Sequence, residues 1–140
     1  MKLEWMGKYR ELVRATVFFS NCSNRSVMRG GRGDYEPHLT QHEWQVLEYI
    51  CEFEDEHRIM ADISRDLGII PSNITKATKH LLELGFIQKN RIVGNRKNVV
   101  LTPTEEGKKT YARLAEDRIG PVFDSFFEEM SAFDDEQLKI

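Results

Sequence analysis

Pro71-Ser72-Asn73-Ile74-Thr75-Lys76-Ala77-Thr78-Lys79-His80-Leu81-Leu82-Glu83-Leu84-Gly85 decides how the rest of the chain reads. Pro71 presets φ for the first turn of a helix, and Gly85 supplies the left-handed residue that ends one. Between them Ile74, Ala77, Thr78, Leu81 and Leu84 recur at spacings of three and four, or nearly so, which predicts one inward stripe. The opposite face carries Ser72, Asn73, Thr75, Lys76, Lys79 and His80, with no acid before Glu83. Hydrogen-bond donors and positive charge on an exposed helix face suit base edges and the phosphates beside them.

Working outward, Met60-Ala61-Asp62-Ile63-Ser64-Arg65-Asp66-Leu67 is a short amphipathic segment stopped by Gly68. A short helix, a Gly-containing turn and a second capped helix form a helix-turn-helix pattern. Downstream, Phe86 to Arg91 reads as a strand, Val93-Gly94-Asn95-Arg96-Lys97 as a turn, and Asn98 to Leu101 as a second strand. Helix-turn-helix followed by a basic hairpin is a winged helix. The predicted fold class is therefore mainly α with a small β-hairpin wing, flanked by further helices at both ends of the chain.

The 140 residues are enough for one ordinary domain, and 40% of them are hydrophobic, enough for a core. The apolar runs are too short to span a membrane, and Met1 to Met6 lack the pattern of a signal peptide. Cys22 and Cys51 do not make a disulfide framework, so the expected compartment is the cytoplasm. A net charge of −3 argues at first against a nucleic-acid partner. Its distribution argues the reverse. Residues 59–101 hold seven Lys/Arg against three acids, a net +4, whereas 40–58 and 102–140 each carry −5. A basic island between acidic flanks is the electrostatic footprint of a surface that meets a polyanion.

Residues 2 to about 20 read as a helix, with Met6, Tyr9, Val13, Thr16 and Val17 at helical spacing and Leu12, Phe18 and Phe19 widening the apolar face. Residues 21–37, rich in Gly, Ser and Asn, read as a loop. Its Arg29-Gly30-Gly31-Arg32-Gly33 reads as a linker rather than an RGG-type RNA contact, because it is a single copy. Leu39-Thr40-Gln41-His42-Glu43 looks like a helix start, with Thr40 as N-cap and Glu43 as its capping-box partner. That helix continues through Trp44, Val46, Leu47, Ile50 and Cys51. After the wing, Thr104 or Thr102 caps another helix, and Tyr111, Leu114, Ile119, Val122, Phe123, Phe126, Phe127, Met130 and Phe133 carry an apolar stripe onward. Gly120-Pro121 predicts a kink or break in it. A stripe this long, beyond what a small winged helix must bury, is a candidate dimer surface centred on Phe123, Phe126, Phe127 and Met130, the alternative being that the first and last helices pack on each other within one subunit.

With these residues in view, the chain resembles the MarR family of bacterial transcriptional regulators over about residues 39–107. Leu39 to Leu47 looks like the family's leading helix, and Ile63-Ser64-Arg65-Asp66-Leu67 resembles its Leu-Ala-x-x-Leu helix. Pro71-Ser72-Asn73-Ile74-Thr75-Lys76 is similar to its Ser-x-Val-Thr-Arg recognition-helix start. Leu81 to Lys89 looks like its Leu-x-x-x-Gly-Leu-Val-x-Arg. Asn95-Arg96-Lys97 stands where the family has Asp-x-Arg in the wing, and Thr104-Glu105-Glu106-Gly107 where it has Thr-x-x-Gly. Lys97 departs from the usual wing arginine, keeping its charge but losing the planar fork; Asn95 departs from the usual aspartate, and Pro103 from a leucine. The resemblance implies a homodimer on a pseudo-palindromic operator, usually repressing, released by a small and often phenolic ligand or by oxidation of a cysteine.

The expected organisation is 1–38 for an N-terminal dimerisation helix and loop, 39–103 for the winged helix, and 104–140 for C-terminal dimerisation helices. The expected DNA-binding residues are Ser72, Asn73, Thr75, Lys76, Lys79, His80, Arg91, Arg96 and Lys97. Phe18, Phe19 and Trp44 are candidate walls of an aromatic-ligand pocket. His38 and His42 are four apart, but Pro37 and Thr40 place the helix start between them, so no metal site, and no cofactor, is assigned. Cys22, near Arg25 and Arg29, is a candidate redox sensor weighed against a bland loop residue; Cys51 reads as core. No nucleophile-and-base arrangement, phosphate loop or carboxylate pair points to an enzyme. The main alternatives are a winged-helix protein-protein module and a cysteine-based redox regulator. DNA binding separates from the first by its steep salt dependence.

Overall fold

The computed structural model describes residues 37–91 and 99–117 throughout, the backbone of 118–120, and only scattered positions within 7–20 and 123–136. The chain divides into two compact units, Met1–His38 and Leu39–Ile140. In the first, Arg10, Val13, Arg14, Thr16, Val17 and Ser20 are helical. Tyr9, Val13 and Val17 are exposed there, at the i, i+4, i+8 spacing of a single helix face.

The second unit runs α1 (Gln41–Glu52), a 3-10 turn (Glu54–Glu56), α2 (Met60–Leu67), α3 (Pro71–Glu83), β1 (Ile87–Arg91), β2 (Val99–Pro103), α4 (Glu105–Leu114) and a π turn (Ala115–Ile119). Each boundary has a local cause. Thr40 Oγ1 accepts the Glu43 N–H at 3.3 Å while Glu43 Oε2 accepts the Thr40 N–H at 2.7 Å, closing the capping box at α1. Asp62 accepts the Ile59 N–H at 3.0 Å at the start of α2. Gly68 at φ +64° ends α2, and Pro71 opens α3. Gly85 at φ +73° turns the chain from α3 into β1.

β1 and β2 pair antiparallel with Ile87 opposite Pro103 and Arg91 opposite Val99. The second strand begins within the expected stretch but runs two residues beyond Leu101, because pairing with Gln88 and Ile87 recruits Thr102 and Pro103. Ile59 adds a single bridge to Val100, an attachment that no short-range pattern announces. Val46, Leu47, Tyr49 and Ile50 of α1, Ile63 of α2, Ile74, Ala77 and Leu81 of α3, and Phe86, Ile87 and Leu101 around the hairpin share one core. Each fully buried Val, Leu or Ile in it contributes about 1.5–3 kcal/mol.

Thr104, not Thr102, caps α4, accepting the Gly107 N–H at 3.0 Å. The same hydroxyl donates to the Gly85 carbonyl at 2.7 Å, so the cap also fastens α4 to the end of α3. Tyr111 donates to Glu48 at 2.6 Å and Lys108 pairs with Glu54 at 2.7 Å, tying α4 to α1 and its following turn. Acids of the 40–58 segment are therefore structural partners as well as solvated charge. The expected kink or break at Gly120-Pro121 falls partly outside the described residues; as far as Gly120 the helical angles continue, and its N–H donates to the Ala115 carbonyl, a π-type bond. No helix among the described residues is long and apolar enough to cross a membrane.

Candidate nucleic-acid interface

Three constraints hold α3 against the rest of the unit. Ser64 donates to the Ile69 carbonyl at 2.6 Å, fixing the turn between α2 and α3. Ile74, Ala77, Thr78 and Leu81 are buried, and the Thr78 hydroxyl bonds back to the Ile74 carbonyl at 2.9 Å, so this polar residue enters the core satisfied. At the far end, His80 Nδ1 lies 2.8 Å from Glu43 Oε1. Glu43 is only 9% exposed, and its other oxygen already holds the Thr40 N–H. One buried carboxylate thus starts α1 and anchors α3.

What remains outward on α3 is Ser72, Thr75, Lys76 and Lys79, all exposed and at the i, i+3, i+4, i+7 positions of one face, with Asn73 half-buried beside them. Thr75 donates its hydroxyl hydrogen to the Pro71 carbonyl at 3.0 Å, leaving the oxygen as an acceptor. Lys79 sits 3.9 Å from Glu83, both well exposed, a contact too loose to neutralise it. His80 differs from its neighbours, since its Nδ1 is committed to Glu43.

The charge island resolves into two parts. Arg65 is spent locally, 3.0 Å from Asp62 and 2.8 Å from Asp66. Asp66 also accepts the Tyr49 hydroxyl at 2.6 Å and lies 3.4 Å from Arg58. The Tyr49 bond and then Arg65 hold the Asp66 carboxyl below the usual carboxylate range. Burial, reinforced by that bond, pushes the Tyr49 phenol up to about 12. These groups fasten α2 to α1. Lys76 on α3 and Lys89 and Arg91 on β1 are exposed and in no ion pair among the described residues, so the outward positive charge of the island lies on α3 and β1.

Arg96 and Lys97, between β1 and β2 in sequence, lie outside the described residues, and so do Phe18, Phe19, Phe126, Phe127, Met130 and Cys22. Trp44 is half-buried on α1, and Phe123 is half-buried in the C-terminal segment. Cys51 packs against the core, and burial followed by the nearby Glu54 pushes its thiol up to about 11, the wrong direction for a reactive thiolate. His38 precedes α1 while His42 lies within it. The Glu43–His80 link, spanning thirty-seven positions, had no signal in the sequence: the capping pattern accounted for Glu43 completely.

No family model matches the chain. Over 71 residues, 51% of the chain, it is 32% identical to YwhA of Bacillus subtilis, described as an uncharacterized HTH-type transcriptional regulator, and the match spans half of that protein. Among solved structures, it is similar to CouR of Rhodococcus jostii bound to p-coumaroyl-CoA, with a TM-score of 0.63 at 23% identity over 84% of this chain and 76% of that one. It is also similar to ZitR of Lactococcus lactis in complex with DNA, with a TM-score of 0.55 at 24% identity over 76% of this chain and 68% of that one. ZitR is described as a zinc-responsive MarR family member. The fold of this chain is the winged helix of MarR-family regulators.

Proposed function

We propose that the protein is a sequence-specific, DNA-binding transcriptional regulator of the MarR type. The observation that carries this reading is the outward face of α3: Ser72, Asn73, Thr75, Lys76 and Lys79, without an acid before Glu83, on a helix anchored at both ends and followed by a two-stranded wing bearing Lys89 and Arg91. A helix presenting short polar side chains from its first turns, with cations on the adjoining hairpin, meets the requirements of base readout and phosphate positioning respectively. The fold shared with a regulator solved on DNA supports it.

In this reading the protein acts as a homodimer, with operator half-sites centred about one helical turn, roughly 34 Å, apart. The apolar C-terminal stripe through Phe123, Phe126, Phe127 and Met130, and the exposed Tyr9, Val13 and Val17, support the dimer. Repression is the output we assign, by occupation of the operator, and a small aromatic ligand near Trp44 the signal for release; CouR's bound p-coumaroyl-CoA supports that last step. DNA selected from a random pool, followed by isotherms at several salt concentrations, tests the reading. The expected result is a pseudo-palindromic site whose log K falls with log salt at a slope of about −5 or steeper, from Lys76, Lys89 and Arg91 of two protomers. A flat salt response with no enriched sequence would instead favour a protein-protein module.

A further inference from the structure

Ile70 departs from what its position calls for in two ways at once. It is the N-cap of α3, where Ser, Thr, Asp or Asn would satisfy a first-turn N–H, and it makes no side-chain cap. Its backbone carbonyl still accepts from the Asn73 N–H at 3.0 Å and the Ile74 N–H at 3.2 Å. It is also 61% exposed, the one large apolar side chain so exposed among the described residues of the second unit. Local stability favours a polar residue there, and the core makes no use of the apolar one.

The backbone around Ile70 is tightly constrained. Ile69, one residue before, is 8% exposed in the core, and its carbonyl is held by Ser64. Pro71, one residue after, confines Ile70 to extended angles, observed at φ −61° and ψ 144°. A β-branched side chain has few χ1 options. The result is a stiff apolar prong at the leading end of the helix, two residues before Ser72 and three before Asn73. In the major groove the apolar feature of a base edge is the C5-methyl of thymine.

We propose that Ile70 is a specificity-determining residue that packs against the C5-methyl of a thymine in each operator half-site. The inference rests on the DNA reading assigned to α3 above and names one base it selects. Apolar contact with deoxyribose would hold DNA equally but carry no base preference, and the two are separable by experiment.

The test uses the full-length protein and the duplex it selects from a random pool. Each thymine is replaced in turn by uracil, which removes the methyl and leaves every hydrogen-bonding group in place. The wild type is expected to lose about fourfold per half-site at one symmetric thymine position, the value of one buried methyl. Ile70→Ala, at an exposed position where the fold is not at stake, should weaken the thymine duplex by a similar or larger factor. It should also become indifferent to uracil at that position alone. Ile70→Ser, which restores a capping side chain, should raise the melting temperature yet show the same indifference. Identical uracil scans for wild type and Ile70→Ala would overturn the assignment, as would Ile70→Ala weakening every duplex equally. If no sequence is enriched at all, the regulator reading itself falls and takes this inference with it.

Discussion

Gly107→Ala should be among the most damaging single-methyl changes in this chain. Gly107 is the third residue of α4, and its N–H is the one Thr104 caps. A Cβ built there would collide with the Phe86 carbonyl oxygen and lie 2.8 Å from the carbonyl carbon, both backbone atoms. Phe86 has little room to retreat. Its N–H donates to the Leu81 carbonyl at 3.0 Å, its own carbonyl accepts the Thr104 N–H at 2.9 Å, and its side chain is 4% exposed. Relief requires α4 to lift away, straining the Thr104 bonds to Phe86 and Gly85. Overpacking costs about 1–3 kcal/mol, and each weakened hydrogen bond about 1 kcal/mol. The better helix propensity of alanine returns about 1 kcal/mol. The net loss is about 2–4 kcal/mol, and in a chain of this size a melting point lower by roughly 8–16 °C. Urea and thermal unfolding of Gly107→Ala, beside Glu106→Ala at the exposed neighbouring position, provide the measurement. A Gly107→Ala protein that melts at or above the wild-type temperature would show that α4 is not held against Phe86 as described.

Other outcomes follow from the same contacts. Asn73→Ala should cost about 1–3 kcal/mol on the selected duplex and relax base choice at one position, whereas Arg91→Ala should weaken selected and scrambled duplexes alike and reduce the salt slope by about one unit per protomer. Isotherms in which Arg91→Ala collapsed the selected-to-scrambled ratio and Asn73→Ala did not would reverse the two roles. Alkaline stability should fall between pH 10 and 12. The Tyr49 phenol ionises more readily unfolded than folded, so its contribution is complete below 10 and is lost as pH rises through about 12. Tyr49→Phe should flatten that part of the urea-midpoint profile, and parallel profiles would count against the Tyr49–Asp66 bond. His57→Gly should stabilise the chain by about 0.5–1 kcal/mol, since His57 is exposed at φ +52° where an L side chain is strained; a lower urea midpoint would contradict this. Phe126→Glu or Phe127→Glu should shift sedimentation toward the 16.4 kDa protomer by placing a charge in the proposed dimer seam.

The elements that were legible in the sequence are those whose causes lie within a turn or two of chain. Thr40 with Glu43, Gly68, Pro71 and Gly85 each act on backbone within a few residues, and each marks a boundary in the structure. Where the cause is a partner far along the chain, local reading gave a different answer. Pro103 looks like the approach to a helix, yet it closes a strand because Ile87 pairs with it. Arg65 is a miss of another kind: its partners Asp62 and Asp66 are local, but a count of charge by segment ignores pairing and leaves it in the outward basic surface. Glu43 illustrates the limit most directly, since its capping oxygen could be assigned from three residues away while the oxygen that meets His80 could not. Gly107 is marked in the sequence only by the resemblance to Thr-x-x-Gly, and its physical reason, the Phe86 carbonyl against its Cα, lies in how the entry to β1 meets α4. Ile70 inverts the logic. Like His57 it breaks a local rule without gaining a core contact, but unlike His57 it adjoins the outward face of α3, which is why the proposed thymine contact is assigned to it.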